Sequence, residues 1–271
     1  MSITADYHLH TSFSGDSDTP MEEMILKGIE LGLETMCFTE HNDFDYPITE
    51  QCPAGLFEVN PDSYLYDLVK YKEKYADKIQ ILFGVELGLQ PHLSKRNAAF
   101  AKAHEYDFII ASSHLCNGYD PFYPDFFDGK KLEDAYREYY VSILDNLKVF
   151  SNFDVYGHLD YIFRYGPGRN GSFSYGEYQD IIDKILDKLI SDGKGIEFNT
   201  KTLAGADADS PGIVILRRYK ELGGEILTIG SDAHTPDKIA ANYDIAVSFL
   251  TDCGFKYYTT FEKRSASFHK I

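Results

Sequence analysis

Strand-like and helix-like segments alternate along the whole of this 271-residue sequence. Short apolar runs rich in β-branched and aromatic residues are followed by longer amphipathic stretches, seven times in succession. The predicted strands cover 3–8, 35–40, 79–85, 108–112, 154–156, 195–198 and 225–229, with a strand-like tail at 256–261. The predicted helices cover 20–31, 61–75, 94–105, 132–150, 175–191, 211–222 and 237–252. This alternation predicts an α/β fold in which seven parallel strands, joined by crossover helices, close into a barrel.

Two helix starts carry local signals. Thr19 is predicted to cap the first helix, with Pro20 at its first position and Glu22 completing a capping box. Asp237 is the predicted cap of the last helix.

Metal-binding side chains stand at or just after the predicted strands. His8 and His10 alternate at the end of the first strand, so both side chains point to the same face. In parallel barrels the active site lies at the C-terminal ends of the strands. Six of the nine histidines occur at these ends. The candidate ligands are His8, His10, Asp16, His41, Glu86, His114, His158, Asp232 and His234.

The chemistry of this set points to a metal cluster. Imidazole nitrogens and carboxylate oxygens suit zinc, iron or manganese. Nine ligands are too many for one ion and match three divalent ions (Zn, Mn or Fe) that share carboxylates. Closely spaced ions can hold a nucleophilic hydroxide and stabilise both the attacking and the leaving oxygen. The cluster therefore predicts hydrolysis, most naturally at phosphorus.

Each candidate also has a purely structural interpretation. The two N-terminal histidines can lie on an exposed strand, and Glu86 can be a surface carboxylate just past a strand. His114 and His158 can be core histidines, and Asp232 can cap a helix. Asp16 has a competitor two residues away, Asp18, and spacing alone does not choose between them.

Charge and cysteine content exclude several classes of function. The net charge of −17 argues against binding to nucleic acid or to an anionic membrane. No apolar run approaches the roughly 20 residues of a membrane span. The four cysteines form no CxxC pair, which argues against a cysteine zinc site. Without a signal-peptide pattern, the expected location is the reducing cytoplasm.

The motifs at the strand ends resemble those of the polymerase and histidinol phosphatase (PHP) superfamily. These motifs are His8-x-His10, Phe-Thr-Glu-His41, Gly-x-Glu86, Ser-Ser-His114, Gly-His158-Leu-Asp and Gly-Ser-Asp232-Ala-His234. Segments 111–130, 156–165 and 254–264 resemble the monofunctional histidinol phosphate phosphatases of that superfamily. The resemblance covers essentially the whole chain.

This resemblance implies a distorted (β/α)7 TIM-like barrel of the PHP type, forming one metal-dependent phosphatase domain over residues 1–271. It also implies a trinuclear centre. The first ion would be held by His8, His10, Glu86 and Asp232. Glu86 would bridge to a second ion held by His114 and His158. The third ion would be held by Asp16, His41 and His234.

The reaction implied by the resemblance is hydrolysis of L-histidinol phosphate to L-histidinol and phosphate in histidine biosynthesis, with a metal-bridging hydroxide as nucleophile. The leaving alkoxide would take its proton from His234, from Asp16 or from a metal-bound water. The candidate phosphate clamps are Arg164, then Lys201 and Arg169. Candidate contacts to the ammonium and imidazole of the substrate are Glu40, Asp43, Asp45, His92, Asn117, Tyr119 and Tyr161.

Other functions compete with this one. Another phosphoesterase of the superfamily would act on a nucleotide or sugar phosphate. An exonuclease would need a basic stripe, which the acidic sequence lacks. A catalytically silent metal-binding module would show gaps in the ligand set, and a zinc amidohydrolase would use fewer ligands with a lysine bridge. Neither pattern is present in the sequence. The sequence does not indicate an oligomeric state.

Overall fold

Seven parallel strands form the centre of the computed structural model, which describes residues 3–167 and 174–271. The strands, each paired with the next along the chain, are β1 (Ala5–Leu9), β2 (Thr35–Asn42), β3 (Gln80–Gly88), β4 (Phe108–Ser112), β5 (Val155–Tyr156), β6 (Gly195–Asn199) and β7 (Leu227–Gly230). Backbone bonds join the last strand to the first. His10 N–H donates to Ala233 O at 2.9 Å, and Asp232 N–H donates to His8 O at 2.9 Å. The predicted distorted (β/α)7 barrel is confirmed.

Helices on the outside connect the strands. They are α1 (Met21–Leu31), α2 (Pro61–Lys74), α3 (Ser94–Ala103), α4 (Leu132–Val149), α5 (Tyr161–Tyr165), α6 (Tyr175–Ser191), α7 (Pro211–Glu221) and α8 (Tyr243–Asp252). Helix α2 starts as its sequence dictates, because Pro61 takes the first position and the Asn60 side chain accepts from Ser63 N–H.

The two predicted helix caps are wrong. The Thr19 hydroxyl does not cap α1; it donates to the backbone oxygen of His234 at 2.8 Å. Helix α8 begins later than predicted, at Tyr243, because a 3-10 turn and two residues with left-handed φ, Ala240 (52°) and Asn242 (62°), precede it. At α1 a hydrogen bond to the loop after β7 replaces the predicted cap. At α8 a turn within that loop delays the start of the helix.

Strands β2 and β3 extend beyond their predicted ends, to Asn42 and Gly88. In their parallel register His41 lies beside Glu86. Both residues therefore belong to the sheet rather than to a loop, which fixes their backbones. Strand β5 is shorter than predicted, with only two residues.

The core lies inside the barrel and between the sheet and the helices. Every residue of β1, β4, β5, β6 and β7 is buried, as expected for a parallel sheet covered on both faces. In the described ranges, none of the helices has the length and apolarity to cross a membrane.

A C-terminal hairpin closes the N-terminal end of the barrel. It consists of β8 (Tyr257–Glu262) and β9 (Ser265–Lys270), where the sequence predicted a single strand-like tail. Arg264 Nε in its turn donates to Asp154 Oδ2 at 2.5 Å, just before β5. The Tyr7 hydroxyl, inside the barrel, donates to Phe261 O at 2.8 Å. The opposite end of the barrel is left open.

Candidate metal centre and active site

A cavity of about 230 Å³ opens at the C-terminal ends of the strands. Part of its lining consists of candidate metal ligands: Asp16, His41, Glu86, His114, His158, Asp232 and His234. The lining also includes basic, acidic and aromatic groups: Tyr46, Asp120, Tyr161, Arg164 and Lys201. The cavity therefore combines a floor of candidate metal ligands with walls that can contact a small charged molecule.

All nine candidate ligands meet at this floor. Eight of them form overlapping triads whose donor atoms lie within 4.8 Å of one another. The triads are His8–Glu86–His158, His8–His10–Asp232, His41–Glu86–His114 and His10–His41–His234. Asp16 joins them through Oδ2, which lies 2.9 Å from His234 Nε2 and 3.5 Å from His41 Nε2. Asp16 lines the cavity with these histidines and Asp18 is not among the described lining residues, so the geometry favours Asp16.

Glu86 is the fully buried centre of the cluster. Its Oε1 lies 2.9 Å from His158 Nε2 and 3.2 Å from His114 Nε2. Its Oε2 lies 3.1 Å from His8 Nε2 and 3.1 Å from His41 Nδ1. Burial alone would raise the pKa of Glu86, but the surrounding histidines hold it well below its usual range. Glu86 thus presents both carboxylate oxygens to four of the candidate histidine ligands.

Two of the histidines are oriented by buried carboxylates that the sequence analysis did not place in these roles. His8 Nδ1 lies 2.5 Å from Glu197 Oε1, and His114 Nδ1 lies 2.7 Å from Asp43 Oδ1. A carboxylate accepts a hydrogen bond, so Nδ1 carries the proton and the Nε2 lone pair is free to bind a metal. Glu197 could have been found from the alternation Glu197-x-Asn199 in β6, which turns both side chains to one face.

Neutral groups orient two further histidines. The Ser14 hydroxyl donates to Glu40 Oε2 at 2.6 Å and lies 3.1 Å from His10 Nδ1, so it accepts the proton of that nitrogen. His234 Nδ1 lies 3.0 Å from the backbone oxygen of Asp232. Glu40, a candidate substrate contact by sequence, is fully buried and supports the cluster through Ser14.

Unpartnered nitrogen atoms show that the donor set fits metal ions. His10 Nε2 and His41 Nδ1 are buried and form no well-aligned hydrogen bond within residues 3–167 and 174–271, although His41 Nδ1 lies 3.1 Å from Glu86 Oε2. Leaving such atoms unpaired is costly. Burial and the nearby His41 and His234 lower the pKa of His10 well below its usual range, which leaves a neutral imidazole with a free lone pair. Neutral imidazoles and ionised carboxylates are the ligands that zinc and similar ions take.

Two basic residues converge on Asp232. Arg164 Nη1 donates to Asp232 Oδ2 at 3.0 Å, and Lys201 Nζ donates to Asp232 Oδ1 at 3.0 Å. Burial would raise the pKa of Asp232, but Lys201, His8 and Arg164 hold it well below its usual range. Arg164 is buried. Its Nε and Nη2 atoms form no hydrogen bond in the part of the chain that the structure describes, although Nη2 lies 3.7 Å from Asp160 Oδ1. A buried guanidinium with donors outside any hydrogen bond, beside the candidate metal ligands, suits an oxyanion such as phosphate.

Asp120 also lines the cavity, and it is not one of the nine candidate metal ligands. It accepts hydrogen bonds from the hydroxyls of Tyr46 at 2.6 Å and Tyr161 at 2.9 Å. Burial raises the pKa of Asp120. The sequence analysis missed this residue, because it lies in a long loop among several aspartates with no periodic signal.

Several predicted substrate contacts lie elsewhere. His92 is 60% exposed and pairs with Asp45, and neither residue lines the cavity. Asn117 donates to Glu138, and Tyr119 is half exposed, so both are also away from the cavity lining. The sequence analysis placed these residues near the site because their loops follow strands, but the loops turn outward. Arg169 lies outside the described residues.

A seven-stranded parallel barrel with a His and carboxylate cluster at its open end defines a metal-binding barrel enzyme. The family model of the PHP domain matches residues 6–201, and the chain belongs to this family. A histidinol-phosphatase from Lactococcus lactis is 32% identical over 257 residues, which are 94% of this chain and 93% of that protein. A probable histidinol-phosphatase from Clostridium acetobutylicum is 33% identical over 96% of this chain and 97% of that protein.

A solved structure agrees with these sequence relationships. It is the histidinol phosphate phosphatase of Lactococcus lactis, complexed with zinc, L-histidinol and phosphate. It superposes with a TM-score of 0.89 at 31% identity and covers 97% of this chain and 98% of that chain. The likeness therefore extends over nearly the whole of both chains.

Proposed function

We propose that this protein is a metal-dependent histidinol-phosphatase, which hydrolyses L-histidinol phosphate to L-histidinol and phosphate in histidine biosynthesis. The observation that carries the proposal is the buried Arg164. It lines the cavity beside the cluster of candidate metal ligands, and two of its nitrogens form no hydrogen bond among the described residues. The relative solved with zinc, L-histidinol and phosphate spans nearly the same length of chain, which supports this choice of substrate.

We propose that three divalent ions, zinc, manganese or iron, occupy the cluster. The first is assigned to His8, His10, Glu86 and Asp232. The second is assigned to Glu86, His114 and His158. The third is assigned to Asp16, His41 and His234. The central position of Glu86 and the overlap of the four triads support this division. When bound, such ions neutralise phosphate oxygens and activate water.

The basic residues bind the phosphate in this proposal. Arg164 offers two spare donors in fork geometry, and Lys201 supplies a point charge on the same side of Asp232. His234 and Asp16, whose side chains lie 2.9 Å apart, are the proposed source of the proton for the leaving alkoxide. Asp16 is partly exposed at the cavity, where a leaving group can reach it.

The remainder of the substrate carries an ammonium and an imidazole. Asp120 is the buried carboxylate of the cavity wall, and Tyr46 and Tyr161 fix its orientation. We assign the cationic part of the substrate to this group, in place of His92 and Asn117. A buried carboxylate attracts a cation strongly, and its own unfavourable burial is relieved when the cation binds.

Two expectations accompany the proposal. We propose that residues 1–271 form one domain, supported by the bonds that tie Arg264 and Phe261 in the hairpin to the barrel. We also propose that the enzyme acts on a small molecule in the cytoplasm. All four cysteines are free, and the net charge of −17 disfavours nucleic acid as a partner.

The test is a comparison of substrates. Protein loaded with manganese or zinc is assayed for phosphate release from L-histidinol phosphate, a nucleoside monophosphate and a sugar phosphate, and for hydrolysis of bis-p-nitrophenyl phosphate. We expect rapid turnover of L-histidinol phosphate alone, and its loss in His41→Asn. Turnover of the other compounds without L-histidinol phosphate would keep the metal centre and overturn the substrate. No turnover at all, with metal still bound, would indicate a silent metal-binding module.

A further inference from the structure

Glu197 lies beneath the cluster, on β6, and has no role in the mechanism above. Its side chain is buried, and it is absent from the described residues that line the substrate cavity. Glu197 Oε1 lies 2.5 Å from His8 Nδ1, and Glu197 Oε2 accepts from the backbone N–H of His158 at 3.0 Å. The Glu197 carboxylate thus contacts two candidate metal ligands, His8 and His158, which are far apart in the sequence.

Gly230 and Asn199 approach the Glu197 carboxylate closely. A Cβ atom on Gly230 would lie 2.4 Å from Glu197 Oε1 and 2.4 Å from His8 Cβ. The Asn199 side chain donates to both carboxylate oxygens at 3.3 Å and to Asp232 Oδ2 at 3.2 Å. Glu197 is therefore held on several sides, and its position determines where the His8 ring lies.

We infer that Glu197 is a positioning residue of the metal centre, which fixes the His8 ring and the His158 backbone for metal binding. As an acceptor it keeps the His8 proton on Nδ1, so Nε2 presents its lone pair to the cluster. A carboxylate behind a ligating histidine also increases the basicity of that ligand. This inference rests on the proposed metal centre and is independent of the identity of the substrate.

The pair formed by Glu197 and His8 isolates this effect better than the similar pair of Asp43 and His114. Asp43 lines the cavity and lies 3.5 Å from a second histidine, His41, so its replacement would change several contacts at once. Replacement of Glu197 leaves the described cavity lining intact.

The experiment measures zinc retention by Glu197→Gln. Glutamine keeps the size of the side chain but offers only one acceptor oxygen, so either His8 Nδ1–H or His158 N–H loses its partner. Zinc affinity is measured by competition with a chromophoric chelator, without substrate. The increase in melting temperature on adding zinc is a second readout, because it follows the affinity by mass action. The matched control is Asp154→Asn, a buried carboxylate at the opposite end of the barrel.

We expect Glu197→Gln to bind its weakest zinc about 10- to 100-fold less tightly than the wild type. Asp154→Asn should lower the melting temperature of the metal-free protein yet keep the zinc affinity. In a His8→Asn background, Glu197→Gln should cause a smaller further loss, because only the contact to the His158 backbone remains to be broken. A purely structural role would instead produce the same loss in both backgrounds.

Unchanged zinc affinity in Glu197→Gln, or an equal loss with and without His8, would overturn the inference. If Glu197→Gln does not fold, Glu197→Asp replaces it, because the shorter side chain keeps the charge but cannot reach both partners. Zinc binding by Glu197→Asp at wild-type affinity would likewise overturn the inference. Failure of L-histidinol phosphate turnover would leave these zinc measurements unaffected, so the two proposals are tested separately.

Discussion

Replacement of Arg164 by lysine tests the proposed phosphate site. Arg164 Nη1 donates to Asp232, and Nε and Nη2 form no hydrogen bond among the residues that the structure describes, although Nη2 lies 3.7 Å from Asp160 Oδ1. These two donors are the ones we assign to a phosphate oxygen. Lysine keeps the positive charge but has a single ammonium group and cannot form the two-pronged contact of a guanidinium.

The expected loss follows from the number of donors. A hydrogen bond to a charged group contributes about 1.5–3 kcal/mol. Loss of one of the two spare donors should therefore lower kcat/KM for L-histidinol phosphate by about 10- to 150-fold, at 1.36 kcal/mol per tenfold. The assay is phosphate release at steady state. The inhibition constant of inorganic phosphate should rise in parallel, because product and substrate share the same donors.

Two controls separate this effect from general damage. Arg218→Lys changes another arginine, which pairs with Asp183 between the outer helices, and should leave kcat/KM within about twofold of the wild type. Zinc content of Arg164→Lys should stay at the wild-type level, since Lys201 still pairs with Asp232. Wild-type kcat/KM and wild-type phosphate inhibition in Arg164→Lys would refute the assignment of the phosphate site.

Three further outcomes are expected. Gly230→Ala should destabilise the metal-free protein by about 1–3 kcal/mol in urea unfolding and reduce zinc retention, because the new methyl group meets Glu197 and His8 at 2.4 Å. Asp120→Asn should lower kcat/KM for L-histidinol phosphate by about tenfold or more, while turnover of p-nitrophenyl phosphate, which has no cationic group, stays unchanged. Burial raises the pKa of Asp120, so the folded state holds this proton more tightly than the unfolded chain. The unfolding free energy of the wild type relative to Asp120→Asn should therefore fall as the pH rises above about 3.9, the unfolded-state pKa, and a rise would contradict this reasoning.

The ligand cluster could be predicted from the sequence because its signals are local. His8 and His10 alternate at the end of an apolar run, and Glu86, His114 and His158 each follow a predicted strand. In a parallel barrel all strand ends meet, so their positions along the chain are enough to bring these side chains together.

The contacts of the supporting residues could not be predicted in this way, because their partners are distant in sequence. Glu197 is 189 positions from His8, and its place within a predicted strand gives no indication of that contact. Asp120 acquires its role from Tyr46, in another loop, and from Tyr161, at the start of α5. Such contacts depend on how the loops fold over the barrel, which no periodicity of the sequence describes.

Element boundaries failed where tertiary contacts compete with local signals. Thr19 is a residue type that often caps the start of a helix, yet its hydroxyl donates to the backbone oxygen of His234 instead. The same loop holds Asp232 at a left-handed φ of 54°, a strained conformation typical of functional sites. Local sequence rules therefore fail closest to the site, where the backbone adapts to the cluster.

The most direct test of the account is a crystal structure of the zinc-loaded protein with L-histidinol and phosphate, with anomalous data at the zinc edge. We predict three anomalous peaks among the nine clustered ligands, phosphate in contact with Arg164, and the cationic part of L-histidinol beside Asp120. Absence of anomalous peaks at Glu86, or phosphate bound away from Arg164, would contradict the account.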